Sequence, residues 1–83
     1  MAYQIRFSKK AKKDIEKLTT PQKNKLKSIL QQLAINPYLG KPLKGNLKGL
    51  YSYRLNLKDR VVYEVISSDK TILVIRARSH YGE

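Results

Sequence analysis

Residues 59–81, DRVVYEVISSDKTILVIRARSHY, carry the signal that decides the fold of this 83-residue chain. Apolar and polar side chains alternate through Val61, Tyr63 and Val65, and again through Leu73, Ile75 and Ala77. Side chains of a strand point to opposite faces with period two, so the stretch reads as two strands, each packed on one side. Ser67-Ser68-Asp69-Lys70 between them is short and polar, as a turn requires. The same period places Arg60, Arg76, Arg78 and His80 on the face away from the packing. Taken singly, such arginines need do no more than solvate a sheet. Grouped, they repel one another unless an anion compensates them, and that points to phosphate.

Working back from this stretch, Lys58-Asp59 makes a tight connection to another strand over residues 50–57. There Tyr51, Tyr53, Leu55 and Leu57 face one way, and Arg54 faces the side that carries Arg60. The preceding segment, PYLGKPLKGNLKG at 37–49, is a loop rich in proline, glycine and lysine. At about a dozen residues it exceeds ordinary connections, and loops of that length are usually functional or disordered. Leu39, Leu43 and Leu47 argue for a packed loop from which Lys41, Lys44 and Lys48 project.

The N-terminal part has a different period. Tyr3, Ile5 and Phe7 alternate with Gln4 and Arg6 as in a strand buried on one side. Ser8 is a good helix N-cap, and Ala11, Ile15 and Leu18 follow as a narrow apolar stripe. Lysines 9, 10, 12, 13 and 17 cover the rest of that helix. Early in a helix they oppose its dipole, and they serve either solvation or binding. Thr20 is placed to cap a second helix whose first turn holds Pro21. Leu26, Ile29, Leu30 and Leu33 form its broader stripe, and Asn36-Pro37 ends it. Two helices joined so closely form a hairpin that covers one sheet face. The expected fold is therefore α+β in the order β-α-α-β-β-β, with an antiparallel-rich four-stranded sheet, an N-terminal helical hairpin on one face and an open basic face. Residues 1–83 are expected to form a single domain.

Composition narrows the function. A chain of this length has one modest core, burying roughly 60–65% of the unfolded surface. A net charge of +12 implies an anionic partner, and the same balance gives a pI near 10.1. No run approaches the length of a spanning helix, so a membrane role is not expected. With no cysteine and one histidine, neither a disulfide nor a metal site is expected, and no cofactor. A cytoplasmic protein fits this best.

Three short segments carry a resemblance: Gly40-Lys41-Pro42-Leu43-Lys44, Arg60-Val61-Val62-Tyr63 and Arg78-Ser79-His80-Tyr81. With this order of elements they resemble the RelE/ParE superfamily of toxins from bacterial toxin–antitoxin modules, in particular the YoeB/Txe branch, whose chains end in Arg-x-His-Tyr. The resemblance implies a ribosome-dependent endoribonuclease that cleaves messenger RNA in the ribosomal A site, the ribose 2′-hydroxyl attacking the adjacent phosphate. Such chemistry needs a base, an acid for the leaving oxygen, and cations for the developing charge. By resemblance Arg60 is the phosphate-stabilising arginine, Lys44 and Arg54 are supporting basic positions, His80 is the general acid, and Tyr81 orients a nucleotide or transfers a proton. Lys41, Lys48, Arg76 and Arg78 are expected to position RNA backbone.

One departure stands out. The branch usually carries Pro-Glu-Pro in this loop, and that glutamate is its proposed base; here Pro42 runs directly into Leu43-Lys44. Asp59 lies in a turn, and Glu64 shares the face of Arg60 but is expected to neutralise neighbouring arginines. Either Lys44, its proton loosened by surrounding like charge, or His80 takes the base role, and the sequence leaves both open. The resemblance also implies a small acidic antitoxin that covers Arg60 and His80, with operator DNA bound mostly through it. Two other functions fit the same fold: a gyrase poison without enzymatic activity, as in the ParE branch, and an RNA-binding module that no longer cleaves.

Overall fold

A computed structural model of the chain describes residues 2–43, 49–56 and 59–78. Strand β1 (Gln4–Phe7) leads into helix α1 (Lys9–Glu16), and residues 17–19 connect it to helix α2 (Thr20–Ile35). A 3-10 turn at Pro37–Leu39 precedes β2 (Lys41–Pro42), then come β3 (Leu50–Arg54), β4 (Arg60–Ile66), a second 3-10 turn at Ser67–Asp69 and β5 (Thr71–Arg78). The sheet order is β1-β5-β4-β3-β2, with β1 parallel to β5 and the other pairs antiparallel. The sheet thus has five strands where four were expected. The additional one, β2, is two residues long, too short to show a period of its own.

Local sequence explains the element ends. Ser8 caps α1 by accepting from the Ala11 N–H at 3.0 Å. Thr19 caps α2, one residue before the expected Thr20, because Thr19 and Gln22 complete a reciprocal capping box. Asn36 leaves helical geometry just before Pro37, as the proline demands. Lys70, in the left-handed region at φ 51°, closes the turn between β4 and β5.

Both helices pack on one face of the sheet. Ala11 of α1 and Leu26, Ile29, Leu30 and Leu33 of α2 are buried against Val61, Tyr63, Ile72, Val74 and Ala77. This corrects the expected pattern on β5. Ile72 and Val74 face the core, whereas Leu73 stands opposite Glu64 and Arg6 on the outer face. The register steps from Val62↔Arg76 to Tyr63↔Val74, leaving Ile75 as one extra residue. A bulge of this kind shifts the alternation by one. Without it, a strand with Ile72 and Val74 inward would turn Arg76 and Arg78 inward too.

The bulged half of β5 lies beyond the end of β1, and α1 replaces the missing strand there. The Ser8 hydroxyl donates to the Ile75 carbonyl at 2.9 Å, and the Asp14 carboxylate accepts from the Ala77 N–H at 3.1 Å. Backbone groups that would otherwise be unpaired at a buried edge are thereby satisfied.

Toward the β2 edge of the sheet a core tyrosine fixes the loop that enters that strand. The buried Tyr63 hydroxyl donates to the Pro37 carbonyl at 2.8 Å and accepts from the Gly40 N–H at 3.0 Å. A side chain on residue 40 would collide with that hydroxyl, so glycine is required for the close approach. Tyr51 stacks on Tyr63 at 5.7 Å between ring centroids, and Tyr38 meets Tyr51 edge-on. Burial pushes the Tyr63 phenol up to about 12, against the opposing pull of the Gly40 N–H. Tyr63→Phe leaves one buried donor and one acceptor unmade and is expected to cost about 1–3 kcal/mol in urea unfolding at neutral pH. The fold holds the neutral phenol, so its contribution is complete below the ordinary value near 10 and is lost as pH rises toward 12. The gap between wild type and Tyr63→Phe should therefore shrink above about pH 10; a gap constant through that range would show that the phenol titrates normally.

Candidate functional site

The outer face of the sheet is organised in rungs set by the strand register. Arg54 of β3 pairs with Arg60 of β4, and Arg60 pairs with Arg78 of β5. Three arginines thus stand on one rung across three neighbouring strands. Arg54 and Arg60 are exposed, and Arg78 enters by its backbone position. Like charges directly opposite each other in a sheet are destabilising, so this arrangement is not one that stability selects. The next rung runs Lys41–Ser52–Val62–Arg76. Its centre is closed, with Ser52 and Val62 buried, while Lys41 at its end is exposed. Further along, Leu50, Glu64, Leu73 and Arg6 share a rung. The face is therefore basic at one end and mixed aliphatic and charged at the other, not basic throughout as expected.

Arg76 differs from the other cations. Its Nε and terminal nitrogen lie 2.9 and 3.4 Å from the two carboxylate oxygens of Asp14, a side-on pair. The hydrogen bond to Asp14 holds the guanidinium even higher than its usual range, so it stays charged. Asp14 is nearly buried and also receives the Ala77 N–H. Arg76 thus braces the strand that presents Arg78, a structural task that its place in the sequence did not disclose.

Among the described residues, two further carboxylates lie near the arginine rung, Asp59 and Glu64. Asp59 precedes Arg60, but its side chain accepts from the Asn56 amide at 2.8 Å and the Gln22 amide at 3.4 Å. Its N–H and carbonyl close the turn onto Asn56 and Leu55. Glu64 has Leu50 and Leu73 as cross-strand neighbours, so no arginine stands opposite it for it to neutralise. Of the residues predicted from the sequence, the structure brings Arg54, Arg60 and Arg78 together on one rung, with Lys41 on the next. Lys44, Lys48, His80 and Tyr81 lie outside the described residues. Among the described residues, no group of three or more histidines, cysteines or carboxylates is placed to hold a metal, and no helix is long and apolar enough to cross a membrane.

Sequence reasoning missed one cation beside this rung. A cleft of about 660 Å³ opens where β3 runs on past the end of β2, lined by Leu39, Gly40, Lys41, Ser52, Tyr53, Arg54 and Asn56 together with Lys25 from α2. On sequence alone Lys25 is one of several lysines on a helix surface.

This fold and its basic rung define a class. Residues 5–81 match the family model described as ParE toxin of type II toxin–antitoxin system, parDE, and the chain belongs to that family. Among individual relatives, it is similar to Toxin YoeB of Synechocystis, with 37% identity over 57 residues covering 64% of each chain. The chain thus spans just under two thirds of the length of that curated relative. In structure it resembles the YoeB/ParE toxin from Agrobacterium tumefaciens, with TM-score 0.86 and 26% identity over 94% of this chain and 99% of the other. It also resembles a chain of the RelBE2 toxin–antitoxin complex from Mycobacterium tuberculosis, with TM-score 0.85 and 26% identity over 96% and 100% of the two chains.

Proposed function

We propose that the chain is the toxin of a toxin–antitoxin pair and acts as a ribosome-dependent endoribonuclease on messenger RNA. The observation that carries this reading is the rung Arg54–Arg60–Arg78, a row of like charge that costs stability unless a phosphate lies across it. In the reaction the ribose 2′-hydroxyl loses its proton and attacks the adjacent phosphorus. The bond to the 5′-oxygen breaks, leaving a cyclic phosphate and a free 5′-hydroxyl. Arg60, in the middle of the rung, stabilises the charge that builds on the phosphoryl oxygens, and Arg54 and Arg78 hold the flanking backbone. His80 supplies or takes a proton, Tyr81 orients the nucleotide, and Lys44 supports the phosphate or serves as base. Of the carboxylates described near the rung, Asp59 is tied into its turn and Glu64 stands two rungs away, which favours a base drawn from Lys44 and His80. An acidic antitoxin covering the rung would silence it, with operator DNA reached mostly through that partner.

A second reading has support from the family model, which is named for ParE: a non-enzymatic poison of DNA gyrase. One experiment separates the two. In a cell-free translation extract, the nuclease reading expects messenger RNA cut at codons only when ribosomes are present. Intact messenger RNA, with gyrase supercoiling inhibited by the same protein, would replace the first reading by the second.

A further inference from the structure

We infer that the cleft at the open edge of β3 is a second RNA subsite, with Lys25 of α2 as a phosphate-binding residue and Tyr53 with Leu39 as the surface that receives a nucleoside. Three cations line the cleft, Lys25, Lys41 and Arg54, and among its described lining residues there is no carboxylate. Lys25, Lys41 and Arg54 are exposed. Between them lie Tyr53, the exposed Leu39, Ser52 and Asn56. Cations tracking a backbone beside an aromatic surface are how single-stranded nucleic acid is held without sequence readout. Part of this lining is held in place, since Tyr53 packs against the core and the Asn56 amide is tied to Asp59.

Continuity gives the cleft its place in the reaction. Arg54 lines the cleft and is also the direct cross-strand partner of Arg60. A strand whose scissile phosphate rests at Arg60 therefore passes Arg54 and enters the cleft with the next nucleotide. An acidic helix would need an apolar stripe instead. A groove of that character lies elsewhere, where Ile5, Phe7, Ile15, Leu26 and Leu30 meet below Lys23 and Lys27. The position of the scissile phosphate rests on the nuclease reading, but the binding test does not involve cleavage.

The test measures fluorescence anisotropy of a 2′-O-methylated single-stranded oligoribonucleotide of about ten nucleotides, which spans one such site. Methylation removes the attacking hydroxyl, so only binding is read. Lys25→Glu is expected to weaken binding about tenfold, and Lys25→Gln to reduce the slope of log affinity against log salt by about 0.7. Lys27→Glu makes the same change in net charge on the same helix but lines the other groove; it should alter affinity less than about twofold. Equal effects of Lys25→Glu and Lys27→Glu would reduce the cleft to general electrostatics and overturn the proposal. So would the absence of oligonucleotide binding by wild type at low salt, or a loss confined to binding of polyglutamate, which would assign the cleft to an acidic protein. Unchanged oligonucleotide binding in Lys25→Glu, beside lost cleavage in Arg60→Ala, would sink the subsite and leave the nuclease reading intact.

Discussion

Arg60→Ala is expected to lower ribosome-dependent messenger RNA cleavage at least about a hundredfold, the loss that follows removal of one preorganised charge-stabilising group. Arg60 is exposed, so the variant should fold as well as wild type. It should fold slightly better, because the substitution separates Arg54 from Arg78 and relieves the repulsion along their rung. Opposite signs for stability and activity are the mark of a residue kept for a ligand. Primer-extension mapping of cleavage in a translation extract reads the first effect, and urea unfolding reads the second. His80→Ala should cost a similar factor through lost proton transfer. Cleavage at the wild-type rate by Arg60→Ala would remove the arginine rung from the reaction, and the proposed mechanism with it.

Asp14→Ala carries the largest expected effect on stability, about 3 kcal/mol, or more than a hundredfold in the folding equilibrium. The substitution removes both hydrogen bonds to Arg76 and the one to the Ala77 N–H. Arg76 is partly exposed and recovers water, so much of the cost comes from the Ala77 N–H, left without an acceptor in a buried setting. In a domain of this size the melting temperature should fall by at least about 10 °C. Asp14→Asn keeps an acceptor for Ala77 and should lose less than half as much. An unfolding midpoint unchanged in Asp14→Ala would mean that α1 does not support the bulged end of β5.

Much of the fold is legible in the sequence because its signals are local. Leu26, Ile29, Leu30 and Leu33 announce the buried side of α2 by spacing alone, and Ser8 announces the start of α1 by its hydroxyl. The bulge in β5 is not announced, since it inserts an ordinary isoleucine with no glycine to mark it, and every later position changes face. Strand β2 is hidden for a related reason: two residues pair because Tyr63 and Gly40 deliver them to β3, not because of any period. The α2 cap falls one residue early because two threonines stand side by side and only Gln22 chooses between them.

The candidate site divides in the same way. Alternation alone puts Arg54 and Arg60 on one face, and strand pairing then sets them side by side. The tie between Asp14 and Arg76 spans 62 residues of sequence, and no local pattern encodes it. Lys25 was invisible for the same reason, since only the packed fold brings α2 to the edge of β3.

The parallel pairing of β1 with β5 sets a timetable for biogenesis. Gln4 to Phe7 are synthesised well before their hydrogen-bonding partners, residues 71–74. At typical elongation speeds of about 5–20 residues per second, the opening strand waits for seconds before its mate exists. During that interval the central sheet is incomplete and the arginine rung lacks its β5 member. The basic row therefore cannot assemble on the nascent chain until β5 has been made.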